Sequence, residues 1–269
     1  MRHERGRGPR AARGARGRHP AGLGTLAAPP HPLTGKTMCG RYVLKREDLE
    51  ALLRQLGVKD IAAFTSRYNL APTSLVPMVR GPRPTRTAAT AQWGLVPPWA
   101  ATPGGSRLAN ARAESVATRP AFREAFQRRR CVVPASGFYE WETRGGRKLP
   151  WYFTPRDGPP LALAGIWTDG GDAGPATFAL ITTEACPEVA RIHDRMPVAL
   201  PPEAAEAWLD PDQPAPALLP LLRPLPAGVL AATRVSTRVN QVRHEGPDCL
   251  LPATGPEEEA DGQLGLGLG

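Results

Sequence analysis

The sequence has few cysteines, few aromatic residues and no long apolar run. Four cysteines among 269 residues (Cys39, Cys131, Cys186 and Cys249) include no C-x-x-C pair. That spacing argues against a zinc ribbon and against a dense disulfide framework, and points to reduced, intracellular thiols. No stretch reaches the roughly 18 uncharged apolar residues that a membrane helix needs. The N-terminus lacks the apolar segment of a secretory signal. It is arginine-rich and acid-poor like a transit peptide, but its glycines and prolines disfavour an amphipathic helix. None of the usual metal-ligand spacings is present, so no metal or other cofactor is expected. There is no internal repeat. Cytoplasmic placement without a membrane partner follows as the expectation, and a monomer is compatible with it.

What is present is alanine, proline, arginine and glycine, which reads equally well as coding bias. The net charge of +9 is unevenly distributed. Residues 1–37 carry +7, the stretch from Pro256 onward carries −4, and the body between them carries +6. A basic body suits an anionic partner such as nucleic acid, although a modest surplus is also what a solvated surface shows. Residues 1–37 have no hydrophobic period and are expected to be a disordered basic extension. Residues 256–269, acidic and glycine-rich, are expected to be a disordered tail. The folded domain is expected over 38–255.

Within that body, Leu49, Leu52, Leu53 and Leu56 share one face of a predicted helix over Glu47–Leu56, with Gly57 suited to end it. A second helix is predicted over Thr118–Arg128, with Thr118 as cap and Phe122 and Phe126 one turn apart. Others are expected at Pro202–Leu209 and near Ala215–Leu222. Strand-like runs lie at Leu75–Val79, Thr87–Trp93, Cys131–Pro134, Phe138–Trp141, Leu161–Trp167, Thr177–Thr183 and Leu230–Ser236. Strands follow one another without regular helical crossovers. The predicted fold is therefore α+β, a single domain whose mainly antiparallel β core curls into a barrel, with flanking helices.

A thiol, a carboxylate and an imidazole suited to nucleophilic and acid/base chemistry occur in short polar and aromatic segments. Cys39, taken alone, reads more readily as a small buried hydrophobe, and His193 as a structural residue. Glu140 sits between aromatics in a predicted strand, where a partly apolar setting would raise its pKa; an ion-paired edge carboxylate is the equal alternative. Trp93 and Trp99 suit either core packing or, if exposed, stacking on unpaired bases. Arg41, Arg112 and Arg195 suit either phosphate contacts or solvent. The residue before Cys39 is Met38. Translation from Met38 followed by methionine removal would leave Cys39 with a free α-amine beside its thiol. The two groups have ordinary pKa values of about 8 and about 8.5, so each is partly reactive near neutrality. Such a 1,2-aminothiol converts an aldehyde to an imine and then to a five-membered thiazolidine.

The segments MCGRY, RYNLAPT, WGLVPPW, NARAES, CVVPASGFYEW, ITTEA, IHDRMPV and VSTRVN, in that order, resemble the SOS response-associated peptidase (SRAP) family of abasic-site-processing proteins. The resemblance covers nearly all of 38–255 and omits 1–37. It implies an α+β fold around a barrel-like antiparallel sheet with a basic cleft. It also implies covalent trapping of ring-opened abasic sites in single-stranded DNA, with nucleoid association on DNA damage. On this chain, the resemblance makes Cys39 the catalytic cysteine and Asn110, Glu140 and His193 its catalytic partners. Arg41, Arg112 and Arg195 would hold phosphates, Trp99 or a neighbour would fill the gap in the base stack, and lyase activity through an imine would be possible.

In the full sequence Cys39 is internal and its nitrogen is an amide, which blocks this chemistry. Three readings stay open: translation starts at Met38, the extension is removed by self-cleavage or another protease, or it is kept and the protein binds DNA without crosslinking. A thiol autopeptidase and a noncatalytic single-stranded-DNA-binding module are the alternative functions.

Overall fold

The computed structural model describes residues 40–59, 63–100, 107–170 and 174–254, which fold as one unit. Cys39, the extension over 1–37 and the tail over 256–269 lie outside the described residues. Twelve strands and five short α-helices make an α+β fold among the described residues. No helix there is long and apolar enough to cross a membrane.

Five strands close a barrel. They are β3 (Leu75–Arg80), β4 (Thr87–Trp93), β6 (Arg130–Ala135), β9 (Leu161–Thr168) and β10 (Thr177–Glu184). Four of the five junctions are antiparallel, and β10 closes the ring by pairing parallel with β4 through Thr177↔Gln92. Strand β10 is long enough to carry more. Beyond β4 the same edge takes β5 (Asn110–Arg112), and beyond β9 the other edge takes β11 (Arg195–Pro197). A second sheet is open and antiparallel throughout, in the order β12 (Leu230–Arg234), β8 (Arg147–Pro155), β7 (Gly137–Arg144), β1 (Arg41–Leu44) and β2 (Arg67–Leu70). The barrel-like expectation holds.

Alternation along the second sheet divides two cores. Tyr42, Leu44, Phe138 and Phe153 face the main core, with the barrel interior. Val43, Tyr139 and Tyr152 face the opposite way, onto Val235, Val239 and Cys249 from the C-terminal segment. Gly137 is required where β6 passes into β7, because a Cβ there would stand 2.4 Å from the Phe153 carbonyl oxygen. Gly145 and Gly146, both at positive φ, make the two-residue β7–β8 turn.

Helix α1 (Arg46–Gln55) buries Leu49, Leu52 and Leu53, each contributing about 1.5–3 kcal/mol of burial. Gly57 follows at φ 73, as its sequence position suggests. Helix α4 spans Pro202–Leu209 as predicted, and α5 covers Ala215–Leu218 before a 3-10 turn. The helix predicted over Thr118–Arg128 is shorter: α2 is Arg123–Arg128, preceded by turns. Pro120 disfavours helical backbone at Arg119. Thr118 does not cap, because its hydroxyl donates to the Ser115 carbonyl instead. Phe122 and Phe126 are nonetheless both buried. Five strands, β1, β2, β5, β8 and β11, have no counterpart in the sequence reading.

Candidate active site

The candidate site is assembled from strands that meet β1 and β10. Gly40, the residue after Cys39, is buried and leads into β1. Strand β1 pairs with β7 in the register Arg41↔Tyr139 and Tyr42↔Phe138. Continued by one residue, that register sets Gly40 opposite Glu140. Glu140 is 2% exposed and lies on the face of β7 shared with Phe138, the face of the main core. An acidic side chain so removed from water is costly unless it is paired or protonated, and such settings are concentrated at functional sites.

Asn110 begins β5, opposite Leu180 of β10, and Arg112 stands opposite Thr182. Ala111 points into the core, so Asn110, half-buried, and Arg112, exposed, share the outer face of this short strand. His193 follows helix α3 (Pro187–Ala190), and its backbone N–H donates to the Val189 carbonyl. Its Nδ1 accepts the backbone N–H of Arg195 at 3.0 Å. Nδ1 also lies 3.2 Å from Asp194 Oδ1 and 3.3 Å from the Arg195 carbonyl oxygen.

Arg195 reaches across β10. Its guanidinium grips both carboxylate oxygens of Glu114, and Nη2 also donates to the Thr182 carbonyl at 2.7 Å. Its Nε is buried and has no acceptor among the described residues. The Glu114 carboxyl is held below its ordinary range, first by the Arg195 hydrogen bond and further by the charge of Arg112. Glu114 thus links the β5 side of β10 to the β11 side, and with them the segments bearing Asn110 and His193.

The predicted DNA-contact residues divide. Trp99, in a 3-10 turn at Pro98–Ala100, is 71% exposed. Arg112 is exposed, and its side chain makes no hydrogen bond to a described residue. Arg41 is held inward, with Nη1 donating to Asn69 Oδ1 at 2.7 Å and to the Val239 carbonyl at 2.8 Å. Burial lowers its pKa. Trp93, the other tryptophan of its motif, is a core residue that donates from Nε1 to the Ala109 carbonyl and packs edge-on to Tyr42.

Residues that sequence reasoning passed over complete this region. Asn69 Nδ2 donates to the carbonyls of Val239, Gln241 and His244, which fastens the C-terminal segment to β2. Glu245 closes the same seam by accepting from Arg67 and from the backbone of Tyr68 and Asn69. Thr73 sits at φ 80, a strained position for a β-branched residue, with its N–H donated to the Trp93 carbonyl. The signal for Asn69, Thr73 and Glu114 was their place inside the ordered segments.

Three described cysteines, Cys131, Cys186 and Cys249, are buried with free thiols. Burial pushes all three thiols up, Cys249 to about 11. His244, Asp248 and Cys249 lie within 4.8 Å of one another. His244 Nε2 is already 2.9 Å from Asp248 Oδ1, and Asp248 Oδ2 accepts from Arg238. These bonds tie the C-terminal turn together and leave the trio poorly placed to receive a cation.

A sequence model of the family described as SOS response associated peptidase (SRAP) matches residues 38–242. The chain belongs to the SRAP family. Among relatives of this SRAP protein, it is 31% identical over 222 residues to the abasic site processing protein YoqW of Bacillus subtilis, covering 79% of this chain and 99% of that one. It is 30% identical over 224 residues to the abasic site processing protein YedK of Escherichia coli, covering 80% and 100%. A crystal structure of a protein from Bacteroides thetaiotaomicron superposes with a TM-score of 0.71 over 80% of this chain and all of that one. At 24% identity, that likeness speaks to the SRAP fold alone.

Proposed function

We propose that this SRAP protein processes abasic sites in single-stranded DNA by forming a thiazolidine crosslink through Cys39. The observation that carries the reading is the buried Glu140, set by the β1–β7 register against the chain immediately after Cys39. The raised thiols of Cys131, Cys186 and Cys249 support it, because they are poor nucleophiles near neutrality. The names of the YoqW and YedK relatives support the choice of abasic sites.

An abasic deoxyribose in its ring-opened form presents an aldehyde at C1′. The Cys39 α-amine adds to that carbon, and loss of water gives an imine. The thiol then adds to the same carbon, and its proton ends on the ring nitrogen. Glu140 and His193 are the groups available to carry protons during ring opening, dehydration and closure. Asn110 would orient the amine or the sugar. Arg112, and Arg195 once shared with or released from Glu114, would hold phosphates, while exposed Trp99 would stack where the base is missing. Arg41 would contribute positive charge rather than a free Nη1. The imine also permits β-elimination, so strand incision is a side reaction of the same intermediate.

The chemistry requires a free amine on Cys39. Glu140→Gln in a chain beginning at Cys39, assayed on an abasic single-stranded oligonucleotide, tests the proton-carrying role. Crosslinking should slow by about a hundredfold. An unchanged rate would remove Glu140 from the mechanism.

A further inference from the structure

A cavity of about 280 Å³ lies at the barrel end where β3 and β9 finish and β4 and β6 begin. Arg80, Arg128, Arg130 and Trp167 line it, with Pro82 and Leu209 among its apolar walls. No residue of the candidate active site takes part, and neither aspartate nor glutamate lines it.

Its cationic groups have different duties. Arg130 is committed to the fold. Its Nε donates to the Trp208 carbonyl, Nη1 to those of Phe126 and Gln127, and Nη2 to those of Asp210 and, at 3.5 Å, Gln213. It thereby caps the ends of α2 and α4 and supplies positive charge without a spare donor. The side chains of Arg80 and Arg128, in contrast, make no hydrogen bond or ion pair with any described residue. The Arg80 guanidinium lies over the Trp167 ring, 4.4 Å from its centroid, while its N–H groups stay unused. The Trp167 indole N–H is itself buried without an acceptor among the described residues. A buried donor without an acceptor calls for a partner.

We propose that this cavity is a second binding site, for a small organic phosphate. The phosphate would lie against Arg80 and Arg128, and the organic part against Pro82, Leu209 and the neighbouring apolar wall. A guanidinium resting on an indole ring, with a second arginine lining the same cavity, suits an anionic phosphate. The space exceeds a bare phosphate ion, and its apolar walls suit an attached carbon skeleton. The site is independent of the abasic-site chemistry.

Calorimetric titration of the full chain at low salt with 5′-deoxyadenosine monophosphate, inorganic phosphate and deoxyadenosine tests this. The monophosphate should bind saturably at one site, with inorganic phosphate and deoxyadenosine each weaker by about tenfold or more. The double variant Arg80→Gln/Arg128→Gln should lose the same factor. Its thermal unfolding should be close to that of the parent chain, because neither side chain hydrogen-bonds to the fold and only the Arg80–Trp167 contact is given up. Made in a chain beginning at Cys39, the same double variant should crosslink to abasic DNA in the parent's yield. Absence of saturable binding overturns the proposal. So does equal binding of deoxyadenosine or inorganic phosphate, equal binding by the double variant, or displacement of the nucleotide by abasic single-stranded DNA.

Discussion

Asn69 and Trp99 come from the segments RYNLAPT and WGLVPPW, and the fold treats them in opposite ways. Asn69 is 1% exposed and its amide joins β2 to Arg41 and to three carbonyls of the C-terminal segment. Trp99 is 71% exposed and stands on a short 3-10 turn. Membership of a recognisable segment therefore does not separate residues that build the site from residues that meet its substrate. The state of each residue's polar atoms does. Arg41 falls on the Asn69 side of this division and Arg112 on the Trp99 side. Arg195 stands between them, bound to a carboxylate that is itself largely exposed.

The contrast can be broken most severely at Asn69. Asn69→Ala removes one hydrogen bond from Arg41 and one from each of three carbonyls, and should cost about 3 kcal/mol of stability by urea unfolding. A loss below about 0.5 kcal/mol would mean that the C-terminal segment is held in some other way. Trp99→Ala should show the reverse pattern. Its stability should stay within about 0.5 kcal/mol of the parent, while affinity for single-stranded DNA falls about tenfold, as expected for loss of one stacking platform. If affinity is unchanged, Trp99 is a bystander.

A third variant separates anchoring from contact among the arginines. Arg112→Gln should weaken DNA binding and lower its salt dependence by about one phosphate contact without altering unfolding. A shift in the unfolding midpoint would instead place it with Asn69 and Arg41.

The smallest expected effect is a pH dependence far from the site. Glu206 of α4 accepts from Arg86 and Arg83, and the Arg86 hydrogen bonds hold its pKa at about 2. A folded pKa below the unfolded value means that this stabilisation is complete above pH about 4.5 and fades as pH falls toward 2. Glu206→Gln should flatten that part of the stability profile and leave neutral-pH DNA binding alone. An identical acid limb in both proteins would show that this ion pair does not contribute.

Much of the fold was legible because its period was clean. Thr87–Trp93 and Pro202–Leu209 appear with the bounds their sequence suggests, and the three leucines of α1 and Leu56 at its C-cap are all buried. Strand β7, which carries Glu140, and β10 were legible too, but the shorter strands that carry the rest of the site were not. Strands β1, β2, β5 and β11 are three or four residues long and mix arginine, asparagine and aromatics, so alternation has no room to show. Strand β8 was hidden by Arg147, Lys148 and Pro150. It is tolerated because Pro150 pairs with Trp141 of β7 but lies just outside the register with β12, which runs from Pro155 to Trp151. Pairing across the sheets also set what single residues do. Nothing in the sequence says that Arg41 lies against Asn69 and Val239, or that Glu114 lies against Arg195, because those contacts span 28, 198 and 81 residues. The ordered segments marked the neighbourhood, while distance in the chain concealed the division of labour within it.

The most direct test of the central claim is the intact mass of the product formed when a chain beginning at Cys39 meets an abasic single-stranded oligonucleotide. A thiazolidine predicts a denaturation-resistant species with the summed mass of protein and DNA less one water. The same species should be missing from Cys39→Ser and from a chain that retains residues 1–38. No such species from the Cys39-initiated chain, or an equal yield from a chain whose Cys39 nitrogen is still an amide, would contradict the account.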